Sequence, residues 1–439
     1  MIADMASRSF GPVRSVYLAA VLAVVATCTV GPARAGAAAN YPVLPVAEPM
    51  HVAIDRSNNL WILEQRGVDR VTPQGKFTLY PTPVHFSLFA YQSNQGILAE
   101  PSGNVWFIDG LGHVGEVTPA GVLKLYTPPA ALGAPFAIAR TPDGKLWSLC
   151  QQGDIQSTPH DIRLAQVTEG GSFSLPPLRL PAAWRAPQDY RFPRPFVYDL
   201  VAAPDGTLWY AEFDSPTNPP PTGEPFYLGA INPRTGEQHT YPLLARRTPP
   251  WWMDYGHGCE APDCYVASLT VTRAGAVWLA SQLYGFARAS STRAPGQADG
   301  TQYTLSVYLP DAAHPTYSSP EGISVAPDDT ILYFDVTGYG YGLPTPPTTS
   351  LCRVALSGRT SCKPLPYRRA TSYAAYFPDV NSNVAFDASG AGWFGATCTD
   401  DIGRIAPDGG VSYLHIPGTA PDAGDMCPRA SFQGAQGFG

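Results

Sequence analysis

Leu200-Val-Ala-Ala-Pro-Asp-Gly-Thr-Leu-Trp-Tyr-Ala-Glu212 sets the reading of everything around it. Two short apolar runs flank Pro204-Asp-Gly206, and a Gly in that place takes the positive φ that closes a tight hairpin. The pattern recurs at Ile138–Trp147 and Ile97–Asp109. Weaker copies carry Trp61, Trp278 and Trp393, and in one copy Leu332 stands where the Trp belongs. Each copy is followed by an outward strand and a turn such as Thr72-Pro-Gln-Gly75, Thr118-Pro-Ala-Gly121 or Ala406-Pro-Asp-Gly409. A last strand then ends near a Pro, as in Lys76-Phe-Thr-Leu-Tyr80. Four short strands repeated seven times predict an all-β chain, a seven-bladed β-propeller with four-stranded blades. The Trp of each copy is expected to pack between neighbouring blades.

The first repeat starts near Met50 and the last ends near Ile416. The expected organisation is a signal peptide over residues 1–35, an extended segment over 36–49, the propeller over 50–418 and a tail over 419–439. Tyr41-Pro-Val-Leu-Pro45 resembles an outermost strand that could help close the ring, although the last repeat has one of its own. Composition agrees with short strands. Among 439 residues there are 42 Gly and 47 Pro, about a fifth together, and only 14% are charged. That excess of turn formers argues against helical bundles and coiled coils. The 44% apolar and 11% aromatic residues supply a core. A net charge of −7 argues against a nucleic-acid partner.

Arg8 and Arg14 precede the apolar run Val16–Ala26, which gives way to Gly31-Pro-Ala-Arg-Ala35. This is the layout of a secretory signal peptide, so the protein is expected to be secreted or periplasmic. The run is shorter than the roughly 18 residues of a membrane span, and no later segment could serve as one. Cys28 follows Val-Ala-Thr, a poor site for lipid attachment. Cleavage after Ala35 leaves seven Cys in an oxidising compartment. Cys352 and Cys362 flank Ser357-Gly358 almost symmetrically and are expected to face each other across a hairpin. Cys259 with Cys264 and Cys398 with Cys427 are further expected pairs. The odd Cys150 reads as a small buried residue.

If the strands of a blade run a to d from the axis outward, a–b and c–d turns open on one face and b–c and d–a loops on the other. The first set is short. The second carries the insertions, among them 214–223, 337–346, 184–193, 249–259 and 368–377. Binding residues gather in loops held by a rigid scaffold, so the long-loop face is the expected functional one. Its Trp251, Trp252, His257, Tyr339, Tyr341 and Tyr376 would supply stacking surface for a small-molecule, glycan or peptide ligand. The same aromatics could equally pack on each other to hold the loops. A monomer is expected.

Two positions per repeat are expected to look into the channel mouth on that face. Three residues after the Trp, at the end of strand b, the chain reads Glu64, Asp109, Cys150, Glu212, Ser281, Asp335 and Ala396. At the start of strand a it reads Met50 or His51, Gln95, Phe136, Tyr198, Ala267, Glu321 and Ser382. Carboxylates recurring there could hold Mg2+ or Ca2+ through hard oxygen ligands, or move protons.

Pro204–Glu212 and Ile402-Gly-Arg-Ile-Ala-Pro-Asp-Gly409 resemble the repeat of virginiamycin B (streptogramin B) lyases, and the resemblance covers roughly Tyr41 to Gly418. It implies a Mg2+-dependent carbon–oxygen lyase that opens a cyclic depsipeptide by elimination. That chemistry needs a base for the proton α to the ester carbonyl and a cation for the enolate-like charge. Carried over, only His51 and Glu64 take the catalytic places; Asp109, Glu212, Glu321 and Asp335, read from the channel-mouth positions, are the expected metal ligands. The chain departs from the family where Pro320-Glu-Gly-Ile323 has Glu321 in place of His, and where Ala396 fills the Glu position. Two readings follow: an exported lyase-like enzyme, or a non-catalytic propeller that binds a glycan or peptide. A calcium-dependent lactonase of six blades fits seven repeats less well.

Overall fold

The computed structural model describes residues 47–82, 84, 96–152, 161–175, 177–179, 195–214, 226–243, 267–281, 285–291, 303–308, 318–337, 348–355, 359–365, 383–396 and 400–419. They form seven antiparallel sheets of four strands, and in every sheet the strands follow chain order. Blade 1 comprises His51–Ile54, Leu60–Glu64, Gly67–Val71 and Phe77–Pro81 as strands a to d. Blade 2 comprises Ile97–Ala99, Val105–Ile108, Val114–Val117 and Leu123–Tyr126. Blade 3 has Ala134–Arg140, Leu146–Gln152, Asp161–Val167 and Leu178–Arg179; blade 4 has Pro195–Ala202, Leu208–Asp214, Phe226–Ile231 and Gln238–Leu243. Blade 5 has Ala267–Val271, Val277–Ser281, Gly285–Ser291 and Tyr303–Tyr308. Blade 6 has Ser318–Val325, Ile331–Thr337, Thr348–Val354 and Thr360–Pro364. Blade 7 has Ala385–Phe386, Gly392–Ala396, Asp401–Ile405 and Val411–His415. Strand a of one blade touches strand a of the next, which makes the a strands the inner ring. The seven-bladed all-β expectation holds.

The a–b turns explain the repeat at the level of single residues. In each, the amide three residues before the Trp position returns to the carbonyl six before it, as in Gly206 N to Ala203 O at 2.9 Å. All seven residues at that amide have positive φ: Gly103, Gly144, Gly206, Gly275 and Gly390, with Asn58 and Asp329 in the other two blades. Asn and Asp are the side chains that best tolerate this region, so the weaker copies keep the turn without Gly.

The Trp position also behaves as expected. Trp61 packs with Ile97, Val105 and Phe107 of blade 2, and Trp106 with Ile138 and Leu146 of blade 3. Trp147 lies with Leu200 and Leu208 of blade 4, Trp278 with Ile323 and Ile331 of blade 6, and Leu332 with Val384 of blade 7. Trp393 then reaches Val52 and Leu60 of blade 1 and completes the ring. Strand c adds cations over these rings, with Arg70, Arg288 and Arg404 within 5.7 Å of Trp61, Trp278 and Trp393.

Blade 6 carries the Cys352–Cys362 disulfide, joining directly opposed residues of strands c and d, as the hairpin spacing predicts. Cys150 is fully buried and unbridged, and burial pushes its thiol up to about 12, so it is an inert core residue. The signal segment, Tyr41–Pro45, the Cys259–Cys264 and Cys398–Cys427 pairs and the tail beyond 419 lie outside the described residues, except that Thr419 itself is described. Among the described residues no helix is long and apolar enough to cross a membrane.

Candidate functional site

Side-chain alternation along strand b decides where its last residue points. The Trp rings placed above face the following blade, and three residues is an odd number of steps, so a carboxylate there emerges on the opposite face. Glu64 follows Ile62, which packs on Ile402 and Ile416 of blade 7; Asp335 follows Tyr333, which packs with Trp278 of blade 5. Both acids therefore lie on the blade face toward the preceding blade.

Each described acid of this series is engaged close to home. Fully buried Glu64 accepts two hydrogen bonds from Arg66, at 2.6 Å from Nε and 3.1 Å from Nη2. Arg66 also donates to Asp69 Oδ2 at 3.1 Å and to the Pro417 carbonyl of blade 7 at 3.0 Å. Burial pushes the Glu64 carboxyl up to about 8, and Arg66 offsets only part of this. Burial likewise raises Asp69 to about 6. Burial also opposes the charge on Arg66, but its bond to Glu64 and the nearby carboxylates outweigh that and hold it protonated.

Asp109, also fully buried, closes its own b–c turn. Its Oδ1 accepts the amides of Leu111 and His113 at 2.8 and 2.9 Å, and Oδ2 meets His113 Nδ1 at 2.5 Å. Asp335, with Cys352 and Cys362, makes the one grouping among the described residues where three potential metal donors lie within 4.8 Å of each other. Two of the three are disulfide sulfurs, which lack the thiolate a metal requires.

His51 is buried at 1% exposure, and its ring lies against Gly96, just before blade 2, where a Cβ would meet Cδ2 at 2.4 Å. It stands ten residues before Trp61. At the same place in blade 4, Asp199 Oδ2 accepts Leu269 N of blade 5 at 2.8 Å. In blade 7, Asn383 accepts Val52 N of blade 1 at 3.1 Å and donates to Val52 O at 2.8 Å. This register position joins one blade to the next, and His51 occupies it between blades 1 and 2.

Among the described residues, no grouping of three potential metal donors within 4.8 Å takes in His51, Glu64 or Asp109. Glu212 and Glu321 are described in backbone only, opposite Val197 and Phe334 respectively. Trp251, Trp252, His257, Tyr339, Tyr341 and Tyr376 lie outside the described residues.

One cluster has no counterpart in the repeat. Between blades 1 and 7, Asp400 Oδ1 accepts the amides of Ala47 and Glu48 at 3.1 and 2.8 Å, while Gln65 donates its side-chain amide to Glu48 Oε2. Asp401 pairs with His415 Nδ1 at 3.0 Å. Burial, then the Asp400 charge, pushes Glu48 up to about 7, and burial raises Asp400 as well. Nothing periodic marks these residues; the doubled acid of Thr399-Asp-Asp401 is the only sequence signal.

No protein-family model matches the chain, and no curated protein does. Among solved structures, a streptogramin B lyase is similar at 14% identity over 85% of this chain and 96% of its own, with a TM-score of 0.52. A catalytically inactive Staphylococcus aureus virginiamycin B lyase with quinupristin shares 15% identity over 88% of each chain, with a TM-score of 0.38. A chain of a mitotic checkpoint complex covers 94% of this chain at 12% identity, with a TM-score of 0.41. At 14% identity the likeness to the streptogramin B lyase carries the architecture and no activity: the chain has the β-propeller fold of that structure.

Proposed function

We propose that the protein is an exported binding propeller, in which seven interlocked blades support a long-loop face that takes a glycan or peptide ligand. One observation carries this reading over the carbon–oxygen lyase. The described catalytic candidates and one described metal-ligand candidate are already committed to the scaffold: Glu64 to Arg66, His51 to the packing of blade 1 on blade 2, and Asp109 to its own turn. An elimination needs a base at the proton α to the ester carbonyl and an electrophile at that carbonyl's oxygen, held together on one substrate, and separately engaged groups do not provide that. The ligand-contacting residues in this reading are Trp251, Trp252, His257, Tyr339, Tyr341 and Tyr376, whose rings would stack on sugar or peptide groups.

The test runs two assays on the mature chain. Incubated with quinupristin and Mg2+, it should leave the cyclic depsipeptide intact by chromatography. On glycan and peptide arrays it should retain a ligand that Trp251→Ala with Trp252→Ala releases at least tenfold. Ring opening that disappears in His51→Ala would overturn the binding reading in favour of the lyase. Retention unchanged by the double Trp variant would reject the aromatic face.

A further inference from the structure

Blades 1 and 7 share no strand, so the ring closes through side chains and through residues 47–50, laid between the first blade and the last. Besides apolar contacts, that seam holds five carboxylates: Glu48, Glu64, Asp69, Asp400 and Asp401, each at most 4% exposed. The cationic partners among the described residues are fewer. Arg66 serves Glu64 and Asp69, and His415 serves Asp401. Glu48 and Asp400 have no ion-pair partner of their own: their hydrogen bonds come from neutral donors, their charges repel each other, and Arg66 and His415 reach Asp400 only through longer-range attraction that burial outweighs.

Their second oxygens carry the inference. Glu48 Oε1 and Asp400 Oδ2 are both buried, and neither has a hydrogen-bond partner. A buried, ionised carboxylate with a bare oxygen is strongly disfavoured unless a counter-charge meets it. Both residues also hold left-handed backbone, with φ of 45° and 54°, a conformation that is uncommon for Glu. We propose that Glu48 Oε1 and Asp400 Oδ2 are ligands of one divalent cation of the calcium or magnesium class, which closes the ring between blade 1 and blade 7. Hard oxygen donors suit such an ion, with backbone carbonyls and water completing its shell. Its role is structural, and it stands apart from the ligand set that the lyase resemblance implies.

The experiment uses the mature chain, stripped with a chelator and held at pH 7.5. Added CaCl2 or MgCl2 should raise Tm saturably by a few degrees, and equilibrium dialysis should find one ion bound per chain. Glu48→Gln and Asp400→Asn should each weaken that uptake at least tenfold, whereas Asp408→Asn, in an exposed turn of blade 7, should leave it intact. Circular dichroism of each variant confirms that the fold is kept. If a variant does not fold, dialysis of the unaltered chain still decides: absence of binding below about 1 mM overturns the site. Uptake that persists in both variants overturns the assignment of ligands. A Tm that rises on acidification from pH 8 to 6 with no response to calcium or magnesium means that a shared proton supplies the counter-charge, and this also overturns the proposal.

Discussion

A glycine on strand c shows how one atom can set a repeat motif. In blades 2, 4 and 7 the residue after the Trp is Phe107, Tyr210 or Phe394, and its ring lies flat over Gly115, Gly229 or Gly403 directly across the ladder. A Cβ at these glycines would come within 2.0–2.1 Å of the ring. Blade 1 pairs Ile62 with Asp69 instead, and blade 3 pairs Ser148 with Ala165; in blade 6 Tyr333 faces Cys352, so an aromatic ring here can also be accommodated opposite a side chain. The Gly403 of Ile402-Gly-Arg-Ile405 is therefore explained by packing. Gly229→Ala should destabilise the protein by about 1–3 kcal/mol, because the fully buried Tyr210 ring would have to shift to clear the new Cβ. Adding Tyr210→Leu should recover part of the loss, since it removes the ring that clashes. Urea unfolding of the single and double variants checks this; a Gly229→Ala midpoint equal to the parent's would refute it.

At the scale of elements, neighbouring blades are held by apolar faces and by one polar latch per junction where the sequence allows it. Asp199 shows the latch in full: Oδ1 takes Leu200 N and Oδ2 takes Leu269 N, both at 2.8 Å, with the residue 1% exposed. Asp199→Ala strands two buried amides and places Ala at a φ of 53°, so a loss of about 2–4 kcal/mol is expected. Asp199→Asn, which keeps one acceptor and tolerates that backbone, should lose less. Equal losses in the two variants, measured by thermal unfolding, would mean that the latch is not what matters there. The blades themselves were legible because turn glycines, period-2 runs and a Trp recur in register, and each encodes a local constraint. The face on which Glu64 and Asp335 emerge was less legible. It depends on which side of strand b meets which neighbour, and a repeat alone does not order the blades. His51 illustrates the same limit: its place ten residues before Trp61 gains meaning only beside Asp199 and Asn383, whose partners lie one blade away.

For the whole molecule, closure is where charge and fold are coupled, and it escaped the sequence because nothing in the repeat marks Glu48, Arg66, Asp400 or Asp401. Glu64 and Asp69 share Arg66 at this seam, and burial holds their carboxyls at about 8 and about 6, above the ordinary 4.5 and 3.8. A carboxyl raised on folding binds its proton more tightly in the native state than in the unfolded chain. Its stabilisation is therefore complete below about pH 4 and is lost as pH rises through 6 and then 8. With a chelator present, so that no cation contributes at the seam, stability to urea should fall by a few kcal/mol between pH 5 and pH 8.5. Ordinary surface-paired carboxylates would give the opposite slope. Glu64→Gln keeps an oxygen for Arg66 but cannot titrate, so it should flatten the upper half of the decline. Stability that instead rises across this interval, with a slope that Glu64→Gln leaves unchanged, would mean that Glu64 stays ionised against Arg66 and that burial at the seam is the weaker effect.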